Sequence, residues 1–159
     1  VALLPILHHP DLRLRALCPT VARFDTALAR LAADLFETMY AAPGRGLAAP
    51  QVGVLARIFV IDTGWKTGTP APMAFVNPRL LSVSDLRLTL EEGCLSIPGT
   101  PCPVERPAAL RLAWQSPTGT PHEAGFEGID ARAIQHELDH LDGILCTDRI
   151  AHPVRTGAP

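Results

Sequence analysis

The sequence predicts an α+β fold. A strand-rich middle of mostly antiparallel sheets packs around a late helix that carries two histidines, with another helix ahead of the strands. Three observations carry this. Apolar residues recur at three- and four-residue steps from Leu28 to Met39. Short apolar or alternating runs, separated by turns rich in glycine and proline, fill the middle of the chain. Where those runs stop, the stretch IQHELDHLDG (residues 134–143) places two histidines four apart.

The first element is FDTALARLAADLFETMYAAPG (residues 24–44). Leu28, Leu31, Ala32, Leu35, Phe36 and Met39 make its apolar face, Asp25 or Thr26 caps its start, and Pro43-Gly44 stops it. GRGLAAPQVG then reads as a loop of small residues, and ARIFVID (56–62) as a buried strand. MAFVNPRLL (73–81) and LRLTLEE (86–92) are further strands. Leu86, Leu88 and Leu90 alternate with polar residues, the period of a half-buried strand. GTPCPVERP (99–107) carries too many prolines for a central strand. AALRLAWQSPTGTPHEAGFEG reads as a hairpin turning at SPTG, and the last helix runs from near Asp130 to Gly143.

The 159 residues suit a single domain spanning 1–159, large enough for its own core. A formal net charge of −2 gives no basic footprint for DNA, and no apolar run has the length of a membrane span. The opening VALLPILHHPDLRLR is broken by proline too early for a signal peptide. Cys18, Cys94, Cys102 and Cys146 form no C-x-x-C pair, which favours reduced thiols in a cytosol-like compartment.

Residues i and i+4 share a helix face, so His136 and His140 can offer two imidazoles to one ion. Glu137 stands about 100° round from His136, beside such an ion and free to handle a proton. The competing reading is two surface histidines at a helix end. The zinc-protease patterns fit poorly. Gly143 matches the extended motif, but Cys146 stands at the third histidine's place, Met39 and Met73 both lie upstream, and no glutamate follows Glu137. A third ligand could lie upstream at Cys94, in the glycine-flanked LEEGCLSIPG, although a lone cysteine is usually a small buried hydrophobe.

GRGLAAPQ at 44–51, EGCLS at 92–96 and QHELDH at 135–140 occur in one order. Together they closely resemble the three motifs of peptide deformylases, and HHPDLRLR and LDGIL extend the likeness from His8 to Ile150. The resemblance implies that Cys94, His136 and His140 hold one divalent metal ion with a fourth position open to water. It also implies Glu137 as general acid/base, with Gln51 and the main-chain N–H of Leu95 stabilising the oxyanion. Fe²⁺ is the implied metal in the cell, with Zn²⁺, Ni²⁺ or Co²⁺ able to replace it. The implied reaction removes the N-formyl group from the initiator methionine of nascent polypeptides and releases formate.

Further expectations follow from the resemblance. Gly44, Arg45 and Gly46 border the bound peptide, and Arg45 replaces a small aliphatic residue at the methionine pocket. Glu92 pairs with Arg106 to brace the cysteine loop. Asp139 either orients an imidazole or is a solvated helix residue. The tail AHPVRTGAP does not read as a helix, so docking on the ribosome by such a tail is not expected. The implied protein is a cytoplasmic monomer. The alternatives are another metal-dependent amide hydrolase and a catalytically idle metal or peptide binder. The missing downstream elements weigh against the first, and the complete set of site residues weighs against the second.

Overall fold

A computed structural model describes residues 2–150; the tail discussed above lies outside them. Five antiparallel strands form the main sheet in the order β1 (Gly46–Ala48), β2 (Ile58–Ile61), β3 (Met73–Val83), β6 (Ala109–Gln115) and β7 (Pro121–Glu127). β4 (Arg87–Cys94) and β5 (Ile97–Pro107) pair antiparallel as a separate two-stranded ribbon. Two helices, α1 (Thr26–Ala41) and α2 (Gly128–Leu141), flank the main sheet. The predicted α+β arrangement is the observed one.

The unbroken apolar run of β2 has a simple cause: both of its faces are covered. Ile58 and Val60 pack with Leu28, Leu35 and Met39 of α1. Phe59 and Ile61 pack on the other side with Phe75, Leu112, Ile134 and Leu141. The sheet is therefore sandwiched between α1 and α2. The Asp25 carboxylate accepts from the Leu28 N–H at 3.1 Å and caps α1. The predicted hairpin is β6–β7, closed at Ser116 and Gly119, with Gly119 at φ 88°.

α2 begins two residues earlier than expected and its last helical residue is Leu141, two before the expected end at Gly143. Gly143 follows it at φ 73°, and a Cβ there would meet the Arg15 carbonyl oxygen at 2.4 Å. Arg57 donates to the Leu141 carbonyl at 3.3 Å and pairs with Asp142, placing a cation at the helix C-terminus. Ala131, Ile134 and Leu141 of α2 enter the core, while Gln135, His136, Glu137, Asp139 and His140 are buried on the remaining faces. A helix with that many buried polar groups needs partners for them. The β4–β5 ribbon supplies most.

Two expectations need correction. GRGLAAPQVG contains a short strand, β1, and a 3₁₀ turn (Ala49–Val52), not loop alone. The leucines of β4 are not half-buried: Leu88 is 45% exposed and Leu90 52%. Their alternation is real, and the same face continues into buried Glu92. Among the described residues no element covers the leucine part of that face, so the leucines line a groove instead. The proline-rich segment is indeed no central strand. It is β5, whose only strand partner among the described residues is β4, with a single bridge from Val104 to Ile150 on its other edge, so prolines interrupt no second ladder there.

Candidate metal centre

β4 ends in Cys94, Leu95 and Ser96 turn the chain, and Ile97 pairs back with Cys94. This tight turn projects the Cys94 sulfur at α2. The Cys94 Sγ lies 3.4 Å from His140 Nε2, and the donor atoms of Cys94, His136 and His140 all lie within 4.8 Å of one another. Burial of the three is nearly complete, so the cluster has left bulk water.

The protonation of the cluster follows from its neighbours. The Cys146 thiol beside it, and then the His136 and His140 imidazoles, hold the Cys94 thiol far below its usual range despite burial. Cys94 therefore presents a thiolate, the form that binds metal. Burial would raise the Glu92 carboxyl, but hydrogen bonds from Arg106 and then His136 outweigh it and hold it at about 2. Glu92 is thus an acceptor only, so His136 Nδ1, at 2.9 Å from Oε1, must donate. Against burial, the charges of Glu137, Cys94 and Glu92 favour a proton on His136; with Nδ1 held by Glu92, Nε2 is the nitrogen whose lone pair a metal would take in place of that proton. Soft sulfur and two imidazoles form a donor set suited to Fe²⁺ or Zn²⁺, and three ligands leave a position open. The residues fit the ion that the resemblance implies.

The expected pair of Glu92 and Arg106 is present and bidentate, at 2.6 and 2.9 Å. Two partners were missed by sequence reasoning. Arg132 also binds Glu92, at 2.7 Å, and Arg149 binds Asp139 at 2.6 and 3.0 Å. Asp139 fits neither expectation. It is 8% exposed and contacts no imidazole, pairing instead with Arg149 and with Arg106 at 3.0 Å.

Glu137 lies against the cluster, 4% exposed, and burial pushes its carboxyl above the usual range. Its Oε1 has no hydrogen-bond partner among the described residues. A buried, unpaired carboxylate oxygen is costly and marks a group kept ready for use. Gln51 is held by its Oε1, which accepts from the Ala48 N–H at 2.9 Å. Its amide nitrogen is thereby turned towards Cys94 Sγ, at 3.8 Å, and Ser96 Oγ, at 3.1 Å.

Two glycines permit close approach. A Cβ on Gly44 would meet Leu95 Cδ1 at 2.7 Å, and one on Gly46 would meet Glu137 Oε2 at 2.6 Å. Trp65 Nε1 donates to the Gly44 carbonyl at 2.8 Å and steadies this segment. Changing Gly46 to alanine is expected to leave the fold intact, because the neighbour is a side-chain end. Displacing that carboxylate should lower kcat by about 10²-fold. A circular dichroism melt beside steady-state kinetics checks this; an unchanged kcat would contradict the close-approach argument.

The centre opens into a groove of about 1340 Å³, lined by Arg45, Gly46, Leu88, Leu90, Ile129 and Glu137 among others. That is larger than a usual small-molecule cavity and open along one side, as an extended chain requires.

A family model described as Polypeptide deformylase matches residues 3–156. The chain belongs to the peptide deformylase family. Among curated peptide deformylases, that of Zymomonas mobilis is 47% identical over 155 residues, covering 95% of this chain and 88% of its own length. That of Brucella suis is 47% identical over 148 residues, with 92% and 84% covered. The crystal structure of the Thermotoga maritima peptide deformylase superposes with a TM-score of 0.90 at 38% identity, covering 96% of this chain and all of that one. Membership in the peptide deformylase family carries its activity: the chain is a metal-dependent hydrolase that removes N-formyl groups. Among the described residues, no helix is long and apolar enough to cross a membrane.

Proposed function

We propose that this peptide deformylase family member removes the formyl group from the N-terminal methionine of nascent polypeptides, acting as a single catalytic domain over residues 1–159. The observation that carries the reading is the Cys94, His136 and His140 cluster with an unpartnered Glu137 oxygen beside it at the groove. A divalent ion on those three ligands supplies Lewis acidity, which makes water a nucleophile near neutral pH. Fe²⁺ is the proposed ion in the cell.

Glu137 takes a proton from water and delivers it to the departing amine nitrogen of the peptide. Its raised pKa suits both halves of that exchange. Gln51 Nε2 and the Leu95 main-chain N–H stabilise the oxyanion that forms on the formyl oxygen when the carbon is attacked, each worth about 3 kcal/mol. The locked Gln51 amide supports this role, since it needs no reorganisation. Gly44, Arg45 and Gly46 run beside the first residues of the peptide, and exclusion of water by the apolar groove strengthens each of these interactions. The proposed setting is the cytoplasm, with the enzyme monomeric and acting near the ribosome.

The reaction class is tested by incubating metal-loaded protein with a formyl-methionyl tripeptide and reading the products by mass spectrometry. The expected product is the intact tripeptide with a free amine. Cleaved peptide bonds with the formyl group retained would overturn the reading in favour of a peptidase. Arg45 is exposed on the groove rim, so it is proposed to bias the choice of peptide towards acidic residues after methionine. Arg45→Ile is expected to lower kcat/KM for such peptides by about fivefold relative to neutral ones, from the loss of roughly 1 kcal/mol of surface attraction. Equal profiles for parent and variant across a peptide panel would refute that role.

A further inference from the structure

Arg132 sits one turn before His136 on α2, with its side chain only 13% exposed. It lines the groove, yet its guanidinium is turned away into three hydrogen bonds. On β4 it donates to Glu92 Oε2 at 2.7 Å and to the Leu88 carbonyl at 2.7 Å. On β5 it donates to the Val104 carbonyl at 3.0 Å. Apart from the two ligand imidazoles, it is the only α2 side chain that hydrogen-bonds β4 among the described residues.

These bonds reach two parts of the site at once. Leu88 and Leu90 of β4 are exposed and form one wall of the groove; the strand is laddered to β5, and among the described residues no element packs over these leucines. Glu92 holds the Nδ1 of His136. We propose that Arg132 is a positioning residue: it fixes the β4 wall of the groove against α2 and, through Glu92, steadies the His136 imidazole. The proposal rests on the deformylase reading for its substrate and on geometry alone for its two contacts.

The two arms are unequal, and that makes them separable. Glu92 keeps its bidentate pair with Arg106 when Arg132 is lost, so the metal arm is partly backed up. The Leu88 carbonyl accepts no other side-chain hydrogen bond among the described residues, so the wall arm is backed only indirectly, through the β4–β5 ladder and the bonds of Arg106 to Asp139 and of Gln135 to Pro107. A lysine can put one cation near Glu92, but its single head cannot serve a carboxylate and two carbonyls on separate strands.

The test uses the parent, Arg132→Met and Arg132→Lys. Each is followed by thermal melting, by Co²⁺ affinity and visible absorption, and by kcat and KM on a formyl-methionyl tripeptide. Arg132→Met is expected to weaken Co²⁺ binding about tenfold, as loss of an outer partner of a metal-ligating histidine does. Its KM should rise about tenfold. Arg132→Lys should keep the parent's Co²⁺ affinity and spectrum within about twofold while KM still rises about fivefold and kcat holds, since lysine retains the charge but not the fork. A KM equal to the parent's in Arg132→Lys overturns the proposal. So does a failure of both variants to fold, which would make Arg132 structural only. Formate release by the parent tests the deformylase reading separately, and its absence would leave the Co²⁺ comparison to decide the contact with Glu92.

Discussion

Replacing Glu137 with glutamine is expected to reduce formate release by about 10³-fold, in the range lost with a positioned acid/base, while Co²⁺ binding stays near one ion per chain. Glutamine keeps the shape but can neither take nor return the proton. The same variant should be no less stable than the parent when metal-free. Burial raises the Glu137 carboxyl in the folded state above its ordinary value, so the folded protein binds that proton more tightly than the unfolded chain. Above the unfolded pKa this penalises the folded state, and glutamine removes the penalty. Since the base must be ionised, kcat/KM of the parent should rise with pH through a limb placed above the usual carboxylate range. A Glu137→Gln enzyme with parental kcat would remove Glu137 from the mechanism.

The second large effect is on stability. Glu92 accepts from Arg106, Arg132 and His136, and its side chain is 5% exposed. Glu92→Ala removes the carboxylate that two nearly buried guanidinium groups share, leaving Arg106 with Asp139 and Arg132 with two carbonyls, which should cost about 3 kcal/mol. The pH dependence follows from the carboxyl being held at about 2 against an ordinary value of 4.5. A depressed acid contributes stability that is complete above the unfolded pKa and is lost as pH falls through the folded one. For this shift the contribution is about 3 kcal/mol. Urea melts of the metal-free parent should therefore weaken between about pH 5 and pH 2, and Glu92→Ala should lack that part of the slope. A variant as stable as the parent at pH 7 would show that the buried network contributes nothing.

Much of this was legible in the chain because the relevant signals are local. The 3.6-residue period and Asp25 mark α1, and the doubly buried run marks β2. The four-residue spacing of His136 and His140 marks one face of α2. The third ligand was different in kind. Cys94 lies over forty residues from either histidine, and only the ordered set of three motifs pointed to it. The β4 leucines misled because alternation reports a two-faced strand, not what covers either face. Asp139 was misread for a related reason. Its partners, Arg106 and Arg149, come from β5 and from the turn after α2, and no helix-local pattern announces them. Arg132 was overlooked because an arginine on a helix is usually solvated, and only the folded ribbon reveals its three acceptors.

The central claim is that one ion on Cys94, His136 and His140 turns the groove into a deformylase. The most direct measurement is formate release from a formyl-methionyl peptide while metal-free protein is titrated anaerobically with Fe²⁺. The account predicts activity that rises linearly and saturates at one ion per chain, with Cys94→Ala inactive throughout. No formate at any loading, with Fe²⁺ or with Ni²⁺, Co²⁺ or Zn²⁺ in its place, would contradict it.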